Sequence, residues 1–331
     1  MLLTPFEDTR RVAYLKIFAI GLLVLVVIAI SPQSDSPTWL ASSTSPQTAT
    51  NKLSRQLDAT TSYVGLASSA KKPIIYAKQY LLLDGKTAEI IVADDPDTPA
   101  PIASMTKMVT ALVAITKLPL DQVVTVSSKP PLVQGSKIGL RSGEKITVRN
   151  LIQGLLIISG NDAAFAIAET YANEQGNYQL FVKAMNQFAF DNHLVQSHYG
   201  DPAGLDDQIG RSTPRELANT ARLLLRQQFL AETVANRELI ISSVDGLITH
   251  RLKNTNRLII TDSPYYLPNS LGVKTGFTND AGHSLVAAYK WNNRILIGVI
   301  LNTVESTNIA SAVEMNKLFR WADKSLVLNE Y

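Results

Sequence analysis

A chain of 331 residues can fold as one large domain or two modest ones, and its net charge of +3, with scattered basic residues, argues against a nucleic-acid partner. The absence of cysteine excludes disulfides, a cysteine nucleophile and thiolate zinc sites, and leaves the redox compartment open. His193, His198, His250 and His283 are too dispersed in sequence to frame a metal site, and nothing in the sequence asks for a cofactor.

The first predicted element covers residues 12–30. Residues 17–30 are apolar without interruption and follow Arg10, Arg11 and Lys16, a pattern that keeps residues 1–11 cytoplasmic and sends the rest outward. As a helix this run is about 20 Å long, but counted from Val12, with Lys16 snorkelling, it reaches about 28 Å and spans a bilayer. It reads as a membrane anchor. A cleaved signal is the rival reading, since Ala29-Ile30-Ser31 is similar to a cleavage site, although Pro32 follows. Residues 31–70, rich in Ser, Thr, Pro, Ala and Gln, read as a flexible linker with at most a short helix near residues 53–57.

The globular domain is expected over residues 71–331. Strands are predicted over 74–83 and 88–93, around the turn Asp84-Gly85-Lys86-Thr87. A helix is predicted from Ala103 on, free of Gly and Pro, with Pro101 suited to its start. A strand follows at 122–126. Thr147 is a plausible cap for a helix through Ile157, and Ser159-Gly160-Asn161-Asp162 breaks the pattern. Helical patterns follow at 163–172, 178–190 and, from Pro214 with Ser212 or Thr213 as cap, to Leu225. Strands at 247–253, 272–276, 284–289 and 294–301 come next, the last two joined at Asn292-Asn293, and a helix closes the domain at 309–321. Early strands, a helical middle and late strands imply an α/β (α+β) fold. One sheet is built from both ends of the domain, helices cover it, and residues 147–235 form an inserted helical subdomain. A site is expected in the cleft between sheet and insert.

Three short motifs occur in order. Ser104 and Lys107 are neighbours on one helical face, so a hydroxyl lies beside an amine able to take its proton. Ser159-Gly160-Asn161 lies in a turn between helices, and Lys274-Thr275-Gly276 ends a strand. Alone, each is ordinary: a solvated helix pair, a cap and turn, a strand lysine. Their order, spacing and contexts together make the set specific. By contrast His283 reads as filler, Arg257 as a solvated charge, and Asp206-Asp207 as a loop cap.

Over roughly residues 71–321 the chain resembles the low-molecular-mass penicillin-binding proteins of the D-alanyl-D-alanine carboxypeptidase family. The resemblance extends to Leu156-Ile157-Ile158-Ser159-Gly160-Asn161-Asp162, to Asp201-Pro202-Ala203-Gly204-Leu205 and to Ser212-Thr213-Pro214-Arg215-Glu216. It also takes in Asn254-Thr255-Asn256-Arg257-Leu258 and Gly272-Val273-Lys274-Thr275-Gly276-Phe277. It implies a β-lactamase-like fold with an antiparallel sheet flanked by helices. Ser104 would be the acyl nucleophile, Lys107 its base and Ser159 a proton relay. Ser159 and Asn161 would hold Lys107 and the substrate amide, Lys274 and Thr275 would meet a terminal carboxylate, and Gly276 would ease close approach. The backbone N–H groups of Ser104 and Phe277 would bind the oxyanion. Chemistry adds one demand: Lys107 must be neutral part of the time, which burial and the nearby Lys274 would favour.

The implied partners are peptidoglycan stem peptides, β-lactam antibiotics as inhibitors, and the membrane through the N-terminal segment, with the catalytic domain extracytoplasmic. The implied reaction is removal of a terminal D-alanine. The alternatives are a D,D-endopeptidase, whose branch the stretch Phe277-Thr278-Asn279-Asp280-Ala281-Gly282-His283-Ser284-Leu285 also resembles, and an inactive wall-binding module. A β-lactamase is a weaker reading. The middle motif is S-G-N rather than S-D-N, and neither Glu144 nor Glu169 matches a water-activating glutamate. Two departures stand out. Val304-Glu305-Ser306-Thr307-Asn308 lacks the family's arginine, which shifts carboxylate recognition onto Thr275 and Lys274; and the C-terminal β-rich domain of larger members is expected to be missing.

Overall fold

The apolar runs at 80–83 and 295–301 are continuous rather than alternating, the pattern of strands covered on both faces. In the computed structural model, which describes residues 63–205 and 209–329, they are adjacent inner strands of one sheet. Its strands are β1 (Ala77–Asp84), β2 (Ile90–Asp94), β3 (Ser270–Gly276), β4 (Ser284–Trp291) and β5 (Arg294–Thr303), in the order β3-β4-β5-β1-β2, every pair antiparallel. Successive residues point to opposite faces. Leu81 and Leu83, with Ile297 and Val299, enter one core; Tyr80 and Leu82, with Leu296 and Ile300, enter another. The expected anchor at 12–30, the linker up to residue 62 and the Asp206-Asp207 pair lie outside the described residues.

Seven helices complete the described domain: α1 (Lys107–Lys117), α2 (Val148–Ile157), α3 (Asn161–Ala172), α4 (Gln179–Asp191), α5 (Pro214–Leu225), α6 (Gln228–Ala235) and α7 (Ala310–Ser325). α7 lays Met315, Leu318 and Phe319 on one face of the sheet. α5 lies against β1 and β5 on the other face, and its Leu217, Ala221 and Leu224 join the core that α1 to α4 share. The architecture is the one expected, an antiparallel sheet with helices on both faces and a helical segment inserted between its first and last strands.

Two helix starts follow local chemistry. The Thr147 hydroxyl accepts from Asn150 N–H at 3.2 Å, and the Thr213 hydroxyl accepts from Glu216 N–H at 3.1 Å with Pro214 in the first turn. Thr213, not Ser212, is therefore the cap; Ser212 shares a hydrogen bond with Ser197 instead. Thr213→Ala is expected to lower stability by about 1 kcal/mol, read as a shift in the denaturation midpoint with an unchanged slope.

The structure corrects three expectations. The linker does not run to Ala70: Tyr63–Leu66 is a strand paired antiparallel with Leu326–Asn329. Four-residue strands carry almost no periodicity, and this one finds its partner at the far end of the described chain. α6 and the strand Glu238–Ser242, which pairs with Thr249–Lys253, were not expected either, being short and uncapped by any polar side chain. Finally, the stretch from Ala103 begins as a 3-10 turn, Ala103–Thr106, and becomes α-helical only at Lys107. Ala103 has a φ of +48°, which an α-helix cannot contain, and Pro101 belongs to a two-residue strand, Ala100–Pro101, rather than to the helix.

Candidate active site

Ser104 sits on that 3-10 turn, and two glycines press against the turn from opposite sides in sequence. Gly204 has a φ of +73°, and a Cβ there would collide with the Ala103 carbonyl oxygen and lie 2.7 Å from Thr106 Oγ1. A Cβ on Gly276 would come within 3.1 Å of the Ile102 carbonyl oxygen. The glycines of the Asp201–Leu205 loop and of the K-T-G strand thus let two separate segments close on the turn that carries the serine.

Lys107 is the first residue of α1 and is fully buried. Its Nζ lies 2.8 Å from Ser104 Oγ and donates to the Ala203 carbonyl at 2.6 Å. Burial pulls its pKa down to about 7, while the carboxylates of Asp201 and Asp162 hold it from falling further. Asp201 is itself fixed by the N–H groups of Ala203, Gly204 and Leu205. Lys274, on β3, is also buried, and its Nζ donates to Thr275 O at 2.9 Å. Burial first, and then the charge of Lys107, drive it well below the ordinary lysine value. Burial is thus the leading cause of the lowered pKa at both amines.

Ser159 follows the end of α2 with a φ of +66°, and Gly160 caps α3 with its N–H on Gly154 O at 3.1 Å. Asn161 does not hold Lys107, as the resemblance had implied. Its Nδ2 donates to Gln134 O at 2.6 Å, and its N–H donates to Ser136 O at 2.7 Å. The next residue, Asp162, is buried and accepts from the N–H groups of Ile138, Gly139 and Leu140. Together these bonds fold residues 134–140 against the start of α3. A buried His250–Glu144 pair, with Nε2 to Oε1 at 2.7 Å, anchors the same segment through His250 Nδ1 and Ile138 O at 3.1 Å.

The segments these bonds hold together border one cleft of about 1010 Å³. Ser104, Ser159, Asn161, Thr275, Gly276 and Phe277 line it. Thr275 Oγ1 meets Thr255 Oγ1 at 2.7 Å, and the half-exposed Phe277 ring stacks on His283 with centroids 4.2 Å apart. His283 is therefore a cleft residue and not filler, and burial lowers its pKa. Sequence reasoning also passed over Gln134, Gly135 and Ser136. Their one signal was a polar, glycine-containing stretch just ahead of the second motif. A hydroxyl held against an amine that is half deprotonated near neutrality, in a cleft bordered by the edge strand β3, is equipped for acyl transfer.

Fold and cleft together define a serine peptidase of the penicillin-binding, β-lactamase-like class. Residues 66–305 match the family model described as D-alanyl-D-alanine carboxypeptidase, and the chain belongs to that family. It is 30% identical over 267 residues to the D-alanyl-D-alanine endopeptidase of Escherichia coli, covering 79% of this chain and 82% of that protein. It is 31% identical over 230 residues to the D-alanyl-D-alanine carboxypeptidase DacF of Bacillus subtilis, covering 68% of this chain but only 57% of that protein. The crystal structure of a Streptomyces DD-transpeptidase superposes with a TM-score of 0.70 at 28% identity, over 76% of this chain and 98% of that one. A D-alanyl-D-alanine carboxypeptidase from Mycobacterium tuberculosis superposes with a TM-score of 0.69 at 26% identity, over 80% and 98%.

Proposed function

We propose that the chain is a serine D-alanyl-D-alanine carboxypeptidase that removes the terminal D-alanine of peptidoglycan stem peptides through an acyl-enzyme on Ser104. The observation that carries this reading is the 2.8 Å contact between Ser104 Oγ and a buried Lys107 whose pKa lies at about 7. Ser104 Oγ attacks the carbonyl carbon of the penultimate D-alanine, and its proton passes to Lys107 Nζ. The oxyanion accepts from the backbone N–H groups of Ser104 and Phe277. As the C–N bond breaks, the leaving amine takes a proton relayed from Lys107 through Ser159, and Asn161 orients the substrate amide. Water then attacks the acyl ester with Lys107 again taking the proton, which frees the shortened peptide and restores Ser104. A β-lactam acylates the same hydroxyl, but its leaving group stays tethered.

The enzyme would act outside the cytoplasmic membrane, held there by the apolar segment at residues 12–30. Among the described residues, which exclude that segment, no helix is long and apolar enough to cross a membrane. A second reading, cleavage of D-alanyl crosslinks, is supported by the likeness to the D-alanyl-D-alanine endopeptidase of Escherichia coli, 30% identical over 267 residues.

Mass spectrometry of the purified protein after penicillin, beside assays on a pentapeptide and a crosslinked dimer, tests both. A penicillin adduct mapped to Ser104 with free D-alanine released from the pentapeptide is the expected result. Turnover of the dimer alone would select the second reading. The absence of both adduct and turnover would sink the first.

A further inference from the structure

The wall of the cleft that faces the K-T-G strand carries a cation that the reaction above leaves unused. Residues 254–258 are pinned from behind. Asn254 Nδ2 donates to Val234 O and Asn236 O while its Oδ1 accepts from Asn256 N–H, and Asn256 Oδ1 accepts from Leu258 N–H. Asn254, Asn256 and Leu258 are all buried, whereas Thr255 and Arg257, which line the cleft together with Lys253 and Asn254, are the more accessible residues between them. The hydroxyl contact of Thr255 with Thr275 fixes this wall to β3.

Arg257 is half-buried there, and among the described residues no carboxylate forms an ion pair with it. The exposed Asp262 lines the same cleft without pairing to it. A guanidinium cannot shed its charge as a lysine can, and one removed in part from water favours an anionic partner. The other cations fit that task less well. Lys274 is buried, donates to Thr275 O, and is driven toward its neutral form. Lys253 is exposed to solvent. Where an arginine is missing after the last strand, Asn308 and Ser311 line the cleft, and both are neutral.

We propose that Arg257 is the carboxylate-binding residue of this cleft, its planar fork donating to a carboxylate of the stem peptide beside the Thr255–Thr275 hydroxyl pair. The assignment rests on the peptidase reading above. Two carboxylates have the right chemistry: the C-terminal one on the departing D-alanine, and a free one on the stem that stays behind.

Parent protein, Arg257→Ala and Arg257→Lys are compared on three peptides: the free-acid pentapeptide, its C-terminal amide, and a pentapeptide whose internal carboxylates are amidated. Turnover is measured, and so is equilibrium binding, which reads the assignment even if nothing is cleaved. For the free acid, Arg257→Ala is expected to lower kcat/KM roughly 10- to 100-fold, mostly through KM, with matching loss of binding and an unchanged melting temperature. Arg257→Lys recovers part of the loss. If the terminal carboxylate is the one bound, the C-terminal amide shows no loss on substitution. If an internal carboxylate is bound, it is the third peptide that shows none. Equal losses on all three peptides, or none on any, overturn the assignment. A parent that binds the free acid in an Arg257-dependent way but cleaves nothing supports the assignment and overturns the peptidase reading.

Discussion

Lys107→Met is expected to slow acylation of Ser104 by penicillin about 10⁴-fold, the scale seen when one member of a nucleophile–base pair is removed. Methionine fills most of the same space but lacks the amine, so the hydroxyl loses the base that stood 2.8 Å away. The fold is expected to survive with a melting temperature at or above the parent's. A buried amine is exchanged for an apolar group of similar size, offset in part by the unpaired Ala203 carbonyl. In the parent, acylation should rise as pH climbs through about 7, because only the neutral amine is a base. Stability carries the same signature. The native state binds fewer protons than the unfolded chain between about 7 and the ordinary lysine value of 10.5, so stability increases with pH across that window and is lost as pH falls toward 7. Lys107→Met should flatten the acylation curve and reduce the slope of the stability curve, to which the buried Lys274 also contributes. Adduct formation followed by mass spectrometry across the neutral range, beside chemical denaturation at the same pH values, checks both. An unchanged acylation rate would remove Lys107 from its role.

The second large effect is expected from a residue with no side chain at all. Gly204→Ala places a methyl group against the Ala103 carbonyl at a left-handed backbone position. The conformational penalty is about 1–2 kcal/mol and the overpacking penalty about 1–3 kcal/mol, so a total loss of roughly 3–4 kcal/mol is expected. Since the obstructed atom belongs to the residue before Ser104, the turn must shift, and a displacement on the order of 1 Å costs about 10²-fold in rate. Gly246→Ala is the control. Gly246 has a φ of +73° too, but a Cβ there meets nothing within 4 Å. It should cost about 1 kcal/mol and leave acylation untouched. Urea denaturation and penicillin acylation of the two variants distinguish strain alone from strain against the nucleophile.

What the sequence displayed well was local. Thr147 and Thr213 announce their helices because a cap and the N–H it serves lie within one turn of each other. The three motifs were legible for the same reason, each being a few adjacent residues whose contacts define a turn or a strand end. What it displayed poorly was decided across long separations. Asp162 and Asp201 look like ordinary loop acids until the backbone N–H groups of 138–140 and 203–205 are seen turned onto them. Asn161 was expected to reach Lys107, but the carbonyl that captures it belongs to Gln134, in a stretch with no pattern of its own. Arg257 and His283 read as surface and filler because nothing in their neighbours along the chain says that a cleft will open beside them. The neutralising burial of Lys274 is likewise a property of what packs around β3 rather than of the strand itself.

The ladder between β1 and β5 joins the start of the described chain to nearly its end. Sheets with partners so far apart in sequence are slow to assemble, because the intervening loop must be closed before the first pairing is rewarded. Helices α1 to α4, whose contacts lie closer together in the chain, can gather earlier. The nucleophile turn is different, since Gly276 at the end of β3 packs directly on it. A nascent chain therefore stays chemically silent until β3 arrives from the far side of the helical segment, and reactivity toward a β-lactam becomes a readout of sheet assembly rather than of helix formation.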